Sequence, residues 1–206
     1  MKTPPEDFTD EEIQLLLDNL SEYSVEEVEE IERMVDELSN RRQNKLAYDD
    51  LIEFCKAMMS DFIVGKHHRI LADMLMAIER GDKDRVCVNI PPRHGKSQLV
   101  SIFYPAWFLG RNPNKKVMMV SHTTDLAVDF GRKVRNLIAT PEYKTIFPVT
   151  KLAVDSKSAG RWNTSAGGEY YACGVGSALA GRGADLLLVD DPHSEQDVIN
   201  GNFSVF

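Results

Sequence analysis

Two stretches far apart in the chain hold residue types that can manage a phosphate group and its counter-ion. The first is Val86-Cys87-Val88-Asn89-Ile90-Pro91-Pro92-Arg93-His94-Gly95-Lys96-Ser97. It reads as a buried strand, a tight turn, and Gly-Lys-Ser opening a helix, the layout of a phosphate-binding P-loop. Backbone N–H groups of the turn and of the first helical turn would face an anion. Lys96 would reach the outer phosphates as a point charge, and the Ser97 hydroxyl would take one site on Mg²⁺. The second stretch is Asp185-Leu186-Leu187-Leu188-Val189-Asp190-Asp191-Pro192, an apolar run ending in two carboxylates. A P-loop needs such a partner, because Mg²⁺ must also be held by an acid at the C-terminal end of a strand. Each stretch has a plainer reading. Ile90 stands where the general pattern wants glycine, and Pro91 and Pro92 remove two backbone donors, so the first could be an ordinary strand–turn–helix connection. Asp190-Asp191-Pro192 could be an ordinary strand-ending turn. Together the two predict a nucleotide site.

The elements that must position these residues follow from periodicity. Thr9-Asp10-Glu11-Glu12 and Ser24-Val25-Glu26-Glu27 are capping boxes, each followed by apolar residues at helical spacing. A third helix is expected over residues 49–62, with Leu51, Phe54, Met58 and Phe62 on one face. Gly65 breaks it, and Lys66-His67-His68 opens a fourth helix that Gly81-Asp82 ends. After the loop a helix should run to about Leu109 and a buried strand over residues 116–121. Another helix should cover residues 124–138, with Arg132, Lys133 and Arg135 on a solvated basic face. Shorter strands are expected near residues 151–155 and 169–173. Four glycines among residues 174–183 mark a loop with special backbone angles, and the strand ending at Asp190 follows. Strand–helix–strand–helix order gives an α/β fold with a mainly parallel sheet and crossover helices. Ligands bind such sheets at the strands' C-terminal ends. His67 and His68 could be metal ligands, but adjacent helical positions point about 100° apart and no third ligand is near in sequence.

Composition bounds the fold. The 206 residues, 43% apolar, suffice for one α/β core and an appendage. Residues 1–45 hold 14 Asp and Glu against 5 Lys and Arg, leaving 18 against 19 in the rest. The acidity is therefore an N-terminal property. Residues 1–45 read as an acidic helical appendage, either a solvated hairpin or a docking element for a partner. Residues 46–206 read as the α/β domain, whose near-neutral charge neither supports nor excludes nucleic acid. Cys55, Cys87 and Cys173 have no metal-ligand spacing and are expected to be buried thiols in a reducing compartment. No apolar run is long enough to span a membrane, and the acidic N-terminus argues against a secretory signal. A cytoplasmic protein is expected.

Beyond a general P-loop, the chain resembles phage terminase large subunits, the ATPase motors of viral DNA packaging. The resemblance is carried by His67-His68-Arg69-Ile70-Leu71, by Pro91-Pro92-Arg93-His94-Gly95-Lys96-Ser97 and by Pro105-Ala106-Trp107-Phe108-Leu109-Gly110-Arg111-Asn112-Pro113. It continues with Gly174-Val175-Gly176, with Gly181-Arg182-Gly183-Ala184-Asp185 and with Leu188-Val189-Asp190-Asp191-Pro192-His193. Order and spacing fit over residues 60–197. The resemblance implies a P-loop NTPase core binding ATP and Mg²⁺ that drives double-stranded DNA into a capsid. It also implies a homo-oligomeric ring at the portal protein and a small terminase subunit as partner. Carried over by position, residues 92–97 would cradle the nucleotide, with Gly95 allowing close approach. Lys96 would bind the β- and γ-phosphates, Ser97 and Asp190 would hold Mg²⁺, and Arg93 would stabilise charge on the γ-phosphate. His67 and His68 would flank the adenine. Many motors place Glu after the Mg²⁺ aspartate to orient the attacking water. Here Asp191 stands there, one methylene shorter, with Glu195 as the other candidate. Arg182 would sense γ-phosphate or contact a neighbour, unless it is simply held by Asp185. The family's nuclease domain and coupling motif find no counterpart, so the sheet is expected to be incomplete at the C-terminal side.

Two other readings compete: a helicase-like P-loop ATPase on a similar core, and a non-catalytic assembly module acting through the acidic N-terminal helices.

Overall fold

The structure is a computed structural model describing residues 9–154, 156, 158–177, 181–193, 199 and 201. It divides into two compact units, Met1–Lys45 and Leu46–Phe206.

In the first unit, Thr9 caps α1 (Asp10–Asp18). Its hydroxyl accepts from the Glu12 N–H while Glu12 accepts from the Thr9 N–H. Ser24 and Glu27 repeat the arrangement at the start of α2 (Val25–Asp49). These reciprocal bonds hold the Glu12 and Glu27 carboxyls below the usual carboxylate range. Helix α2 is 25 residues long and ends at Asp49, within the second unit.

The second unit is mixed α/β. Four strands lie in the order β2-β3-β1-β4: β1 (Lys116–Ser121), β2 (Arg161–Asn163), β3 (Glu169–Gly174) and β4 (Leu186–Val189). Strand β1 runs parallel to β3 and β4, and β2 runs antiparallel to β3. Residues 117–121 are all buried, as expected for a strand with neighbours on both sides. Asp185 sets the register of β4. It accepts from the Lys116 N–H and from Lys115 Nζ, and its own N–H donates to the Lys116 carbonyl. Those bonds hold its carboxyl below the usual range.

Helices enclose one large apolar core. They are α3 (Leu51–Met58), α4 (Lys66–Glu79), α5 (Tyr104–Arg111), α6 (Thr124–Ala139) and α7 (Pro141–Ile146). Helix α6 can approach the sheet because Gly131 has no side chain: a Cβ there would lie 2.7 Å from the Ala159 carbonyl oxygen. Trp162 stacks on its cross-strand partner Tyr170 at 4.8 Å and donates its indole N–H to the Gly131 carbonyl. Arg111 ties α5 to the rest. It pairs with Glu79 at 3.0 Å and lies over the rings of Tyr48 and Trp107. Among the described residues no helix is long and apolar enough to cross a membrane.

Three expectations are corrected. Residues 86–90 do not form a buried strand. Val86, Val88 and Ile90 are half-buried while Cys87 and Asn89 are exposed. The run has one apolar side only, which lays Val88 and Ile90 on the core, whereas a central parallel strand must be apolar on both. Cys87 is consequently exposed, while Cys55 and Cys173 are buried. The segment near residues 151–155 contributes one isolated bridge, Leu152 with Thr164.

Candidate functional site

The C-terminal ends of the parallel strands meet the 91–97 loop. Past β4, the Asp190 N–H donates to the Val120 carbonyl and the His122 N–H to the Asp191 carbonyl. Strand pairing thus extends into the two aspartates and fixes where they sit. Asp190 is buried and Asp191 is exposed. Lys96 reaches both. Its Nζ is 3.1 Å from Asp190 Oδ1 and 2.7 Å from Asp191 Oδ1. Partial burial pushes the Lys96 ammonium down, but hydrogen bonds and charge from Asp191 and Asp190 outweigh it and hold the group above the usual lysine value. The other oxygen of Asp190 accepts a 2.7 Å hydrogen bond from the buried Ser101 hydroxyl.

Backbone strain concentrates here. Among the described residues the non-glycine positions with positive φ are Arg93 at 64° and Asp191 at 45°. Such conformations persist where the surroundings over-determine them, and they gather at functional sites. Gly95 takes φ 75°. The helix leaving the loop begins with a π-helical stretch, Gln98–Phe103, a rare geometry that also favours functional sites.

A cleft of about 480 Å³ is lined by residues 89–93, by Gly95, Lys96, Ser97 and Gln98, and by Asp191. Sites for small ligands are typically about 300–1,000 Å³. Pro92, Arg93, Gly95, Lys96 and Ser97 thus meet Asp191 around one space. The donor set is chemically suited to a phosphate and a hard cation: an ammonium, a serine hydroxyl and carboxylate oxygens.

His94 and the two histidines of α4 are placed differently from expectation. His67 Nε2 and His68 Nε2 lie 3.2 Å and 3.0 Å from the His94 carbonyl oxygen. His94 turns its own Nδ1 to the Pro92 carbonyl at 2.9 Å. Rather than diverging, the rings of His67 and His68 converge, with centroids 4.0 Å apart. What they touch is the backbone of the loop.

Arg182 lies at the opposite end of the sheet. It sits 4.0 Å over the Tyr171 ring and 3.8 Å from Glu169, the first residue of β3, beside a cavity of about 200 Å³. It therefore lies away from the Lys96 cluster, and among the described residues its ion pair is with Glu169 rather than Asp185. Glu195 lies outside the described residues. Ser101 was not anticipated. Its signal was a lone serine in the apolar run Leu99-Val100-Ser101-Ile102-Phe103, four positions after Ser97 and so on the same side of a helix.

Comparison with curated proteins and with solved structures gave no match. The family model for the terminase large subunit, T4likevirus-type, N-terminal, matches residues 87–200. The match begins just before the 91–97 loop and ends beyond Asp191, taking in both halves of the Lys96–Asp190–Asp191 cluster and more than half of the chain. The chain belongs to that family of terminase large subunits, as part of its N-terminal region.

Proposed function

We propose that residues 46–206 form a P-loop ATPase domain that binds Mg-ATP and hydrolyses it to drive double-stranded DNA into a capsid. One observation carries the reading. The ammonium of Lys96 lies within 3.1 Å of carboxylates on both Asp190 and Asp191, at the C-terminal end of a parallel strand. Residues 91–97 and the end of β4 thereby behave as two halves of one site.

Within this reading each residue has a task. Lys96 neutralises the outer phosphates, and Gly95 lets the backbone come close. Ser97 and Asp190 hold Mg²⁺, which supplies charge neutralisation between the phosphates. Ser101 keeps the Asp190 carboxylate oriented, as outer-shell donors do for metal ligands. Asp191 positions the attacking water, and Arg93, held at positive φ on the cleft, stabilises charge developing on the γ-phosphate. Losing one such donor typically costs about 2.7–4 kcal/mol of transition-state stabilisation. A ring of subunits at a portal and a small terminase subunit that selects DNA are the partners this function requires.

Calorimetric titration of Mg-ATP into wild type and Lys96→Ala tests the proposal. Binding that disappears in a folded Lys96→Ala variant is expected. Equal binding by both proteins would remove the 91–97 loop as the nucleotide site.

A further inference from the structure

The two histidines opening α4 explain how the 91–97 loop is held. His68 is buried in the first turn of the helix. The Gly65 N–H, one of the helix's unpaired first donors, points at His68 Nδ1 from 3.0 Å. A backbone N–H can only donate, so Nδ1 must be the lone-pair nitrogen and Nε2 must carry the proton. That Nε2–H donates to the His94 carbonyl at 3.0 Å. His67 Nε2 donates to the same oxygen at 3.2 Å from the more exposed side.

The peptide joining His94 to Gly95 is planar and trans, so its C=O and N–H point in opposite directions. Fixing the His94 carbonyl against α4 therefore fixes the Gly95 N–H away from α4. The approach is close: a Cβ on Gly95 would stand 2.6 Å from His68 Nε2. Phe62 packs against the His68 ring, with centroids 5.3 Å apart, and limits its rotation.

We propose that His68 is a positioning residue for nucleotide binding: its Nε2–H tautomer, imposed by the Gly65 N–H, sets the orientation of the His94–Gly95 peptide beside Lys96. This rests on the nucleotide-site reading above. It gives α4 a task other than flanking the adenine and ties the loop to the protonation state of one ring through the Gly65 contact that orients that ring. The groups around that ring are the His67 and His94 imidazoles, the Gly65 N–H, and the Ile63 and His94 carbonyls. Burial, helped by the neighbouring imidazoles, holds the ring below the usual histidine value against the pull of the two carbonyls. On protonation Nδ1 gains a hydrogen that opposes the Gly65 N–H.

Two substitutions in the full chain separate the two nitrogens. His68→Asn keeps an acceptor for the Gly65 N–H but is too short to reach the His94 carbonyl. His68→Gln keeps a donor at the distance of Nε2 and gives up the acceptor. With Mg-ATP as the probe, His68→Asn should weaken binding at least about tenfold, the loss of one good hydrogen bond's worth of free energy. His68→Gln should stay within about threefold of wild type and, having no ring to protonate, should show a smaller change in affinity between neutral and acid pH than wild type. Equal binding by His68→Asn and wild type, or equal weakening in both variants, would overturn the proposal. Nitrogen-15 shifts of the His68 ring give a readout that needs no nucleotide. A neutral Nε2–H tautomer is expected, with the Gly95 amide resonance displaced in His68→Asn but not in His68→Gln. An Nδ1–H tautomer would sink the latch whatever ATP does. A wild-type protein with the expected tautomer that binds no Mg-ATP would instead defeat the nucleotide-site reading.

Discussion

Lys96 and Asp191 are 95 positions apart in the chain and 2.7 Å apart in space, Nζ to Oδ1. The bond joins a loop residue to an aspartate held at φ 45°, directly before a proline that itself disfavours helical backbone. The buried Asp190 shares the same ammonium at 3.1 Å. Buried and exposed carboxylates beside one lysine invite different roles, and the pair can be separated by substitution.

Asp190→Asn is expected to remove Mg²⁺-dependent tightening of ATP binding. Asp191→Asn should leave binding intact while slowing single-turnover hydrolysis by about 100-fold, the usual effect of a displaced reacting group. Calorimetry and rapid-quench hydrolysis, run side by side, check both. Unimpaired hydrolysis in Asp191→Asn would pass the water-orienting task to Glu195.

Ser101→Ala should act through Asp190. The buried carboxylate loses its 2.7 Å donor, an unsatisfied group that costs about 1–3 kcal/mol in an equilibrium urea melt. Mg²⁺ affinity in the presence of nucleotide should fall by about 10–100-fold, as for other outer-shell partners. Ser101→Thr keeps the hydroxyl and should recover most of the affinity.

Two glycines with nearly equal backbone angles should respond differently to alanine. Gly81 has φ 80° and nothing within 4 Å of an added Cβ. Gly81→Ala should therefore cost only the left-handed backbone, about 1–2 kcal/mol. Gly95→Ala carries the same backbone cost at φ 75° and also drives a methyl into His68. It should be less stable than Gly81→Ala by thermal melt and should lose ATP binding, which Gly81→Ala retains.

Stability should decline on the acid side through His68. Its folded-state pKa lies below the ordinary 6.5, so the unfolded chain takes up the proton first as pH falls. The His68 contribution is whole above about pH 6.5 and is lost as pH drops from there through the folded value, at no more than about 1.4 kcal/mol per pH unit. Urea melts across that range should show a shallower acid limb in His68→Gln than in wild type.

The cysteines give a test of packing. Cys87 is exposed, and burial raises the thiols of Cys55 and Cys173. A thiol reagent should modify one cysteine rapidly in the native protein and three in denaturant. More than one fast thiol would contradict the burial of Cys55 or Cys173.

How much of this was legible beforehand varied with the physics involved. Both N-terminal capping boxes were readable because each is complete within four residues. Strands β1, β3 and β4 were readable because their apolar runs are short and bounded by turn residues. Residues 86–90 misled because Val86, Val88 and Ile90 satisfy a strand pattern that one-sided packing satisfies equally well. Helix α7 was not anticipated, although Thr140 before Pro141 is a good helix start: the threonine caps the Tyr143 N–H. Gly95, Lys96, Ser97, Asp190 and Asp191 were legible as two separate signals, while their meeting was an expectation drawn from pattern. The hold of His67 and His68 on the His94 carbonyl was not legible, because it depends on α4 arriving beside the loop, and sequence spacing says nothing about that approach. The place of Arg182 was not legible for a related reason: nothing local reveals that it lies over Tyr171 and beside Glu169.

The shared ammonium has a thermodynamic consequence. Lys96 offsets the charge of two carboxylates, so an anion that draws the ammonium away leaves the repulsion between Asp190 and Asp191 uncompensated. A divalent cation restores the balance. If the site takes phosphate and metal as proposed, their occupancies would be linked, each raising the affinity for the other by the same factor. The lysine would then be the element through which the two ligands sense one another, and such a site would fill as a unit.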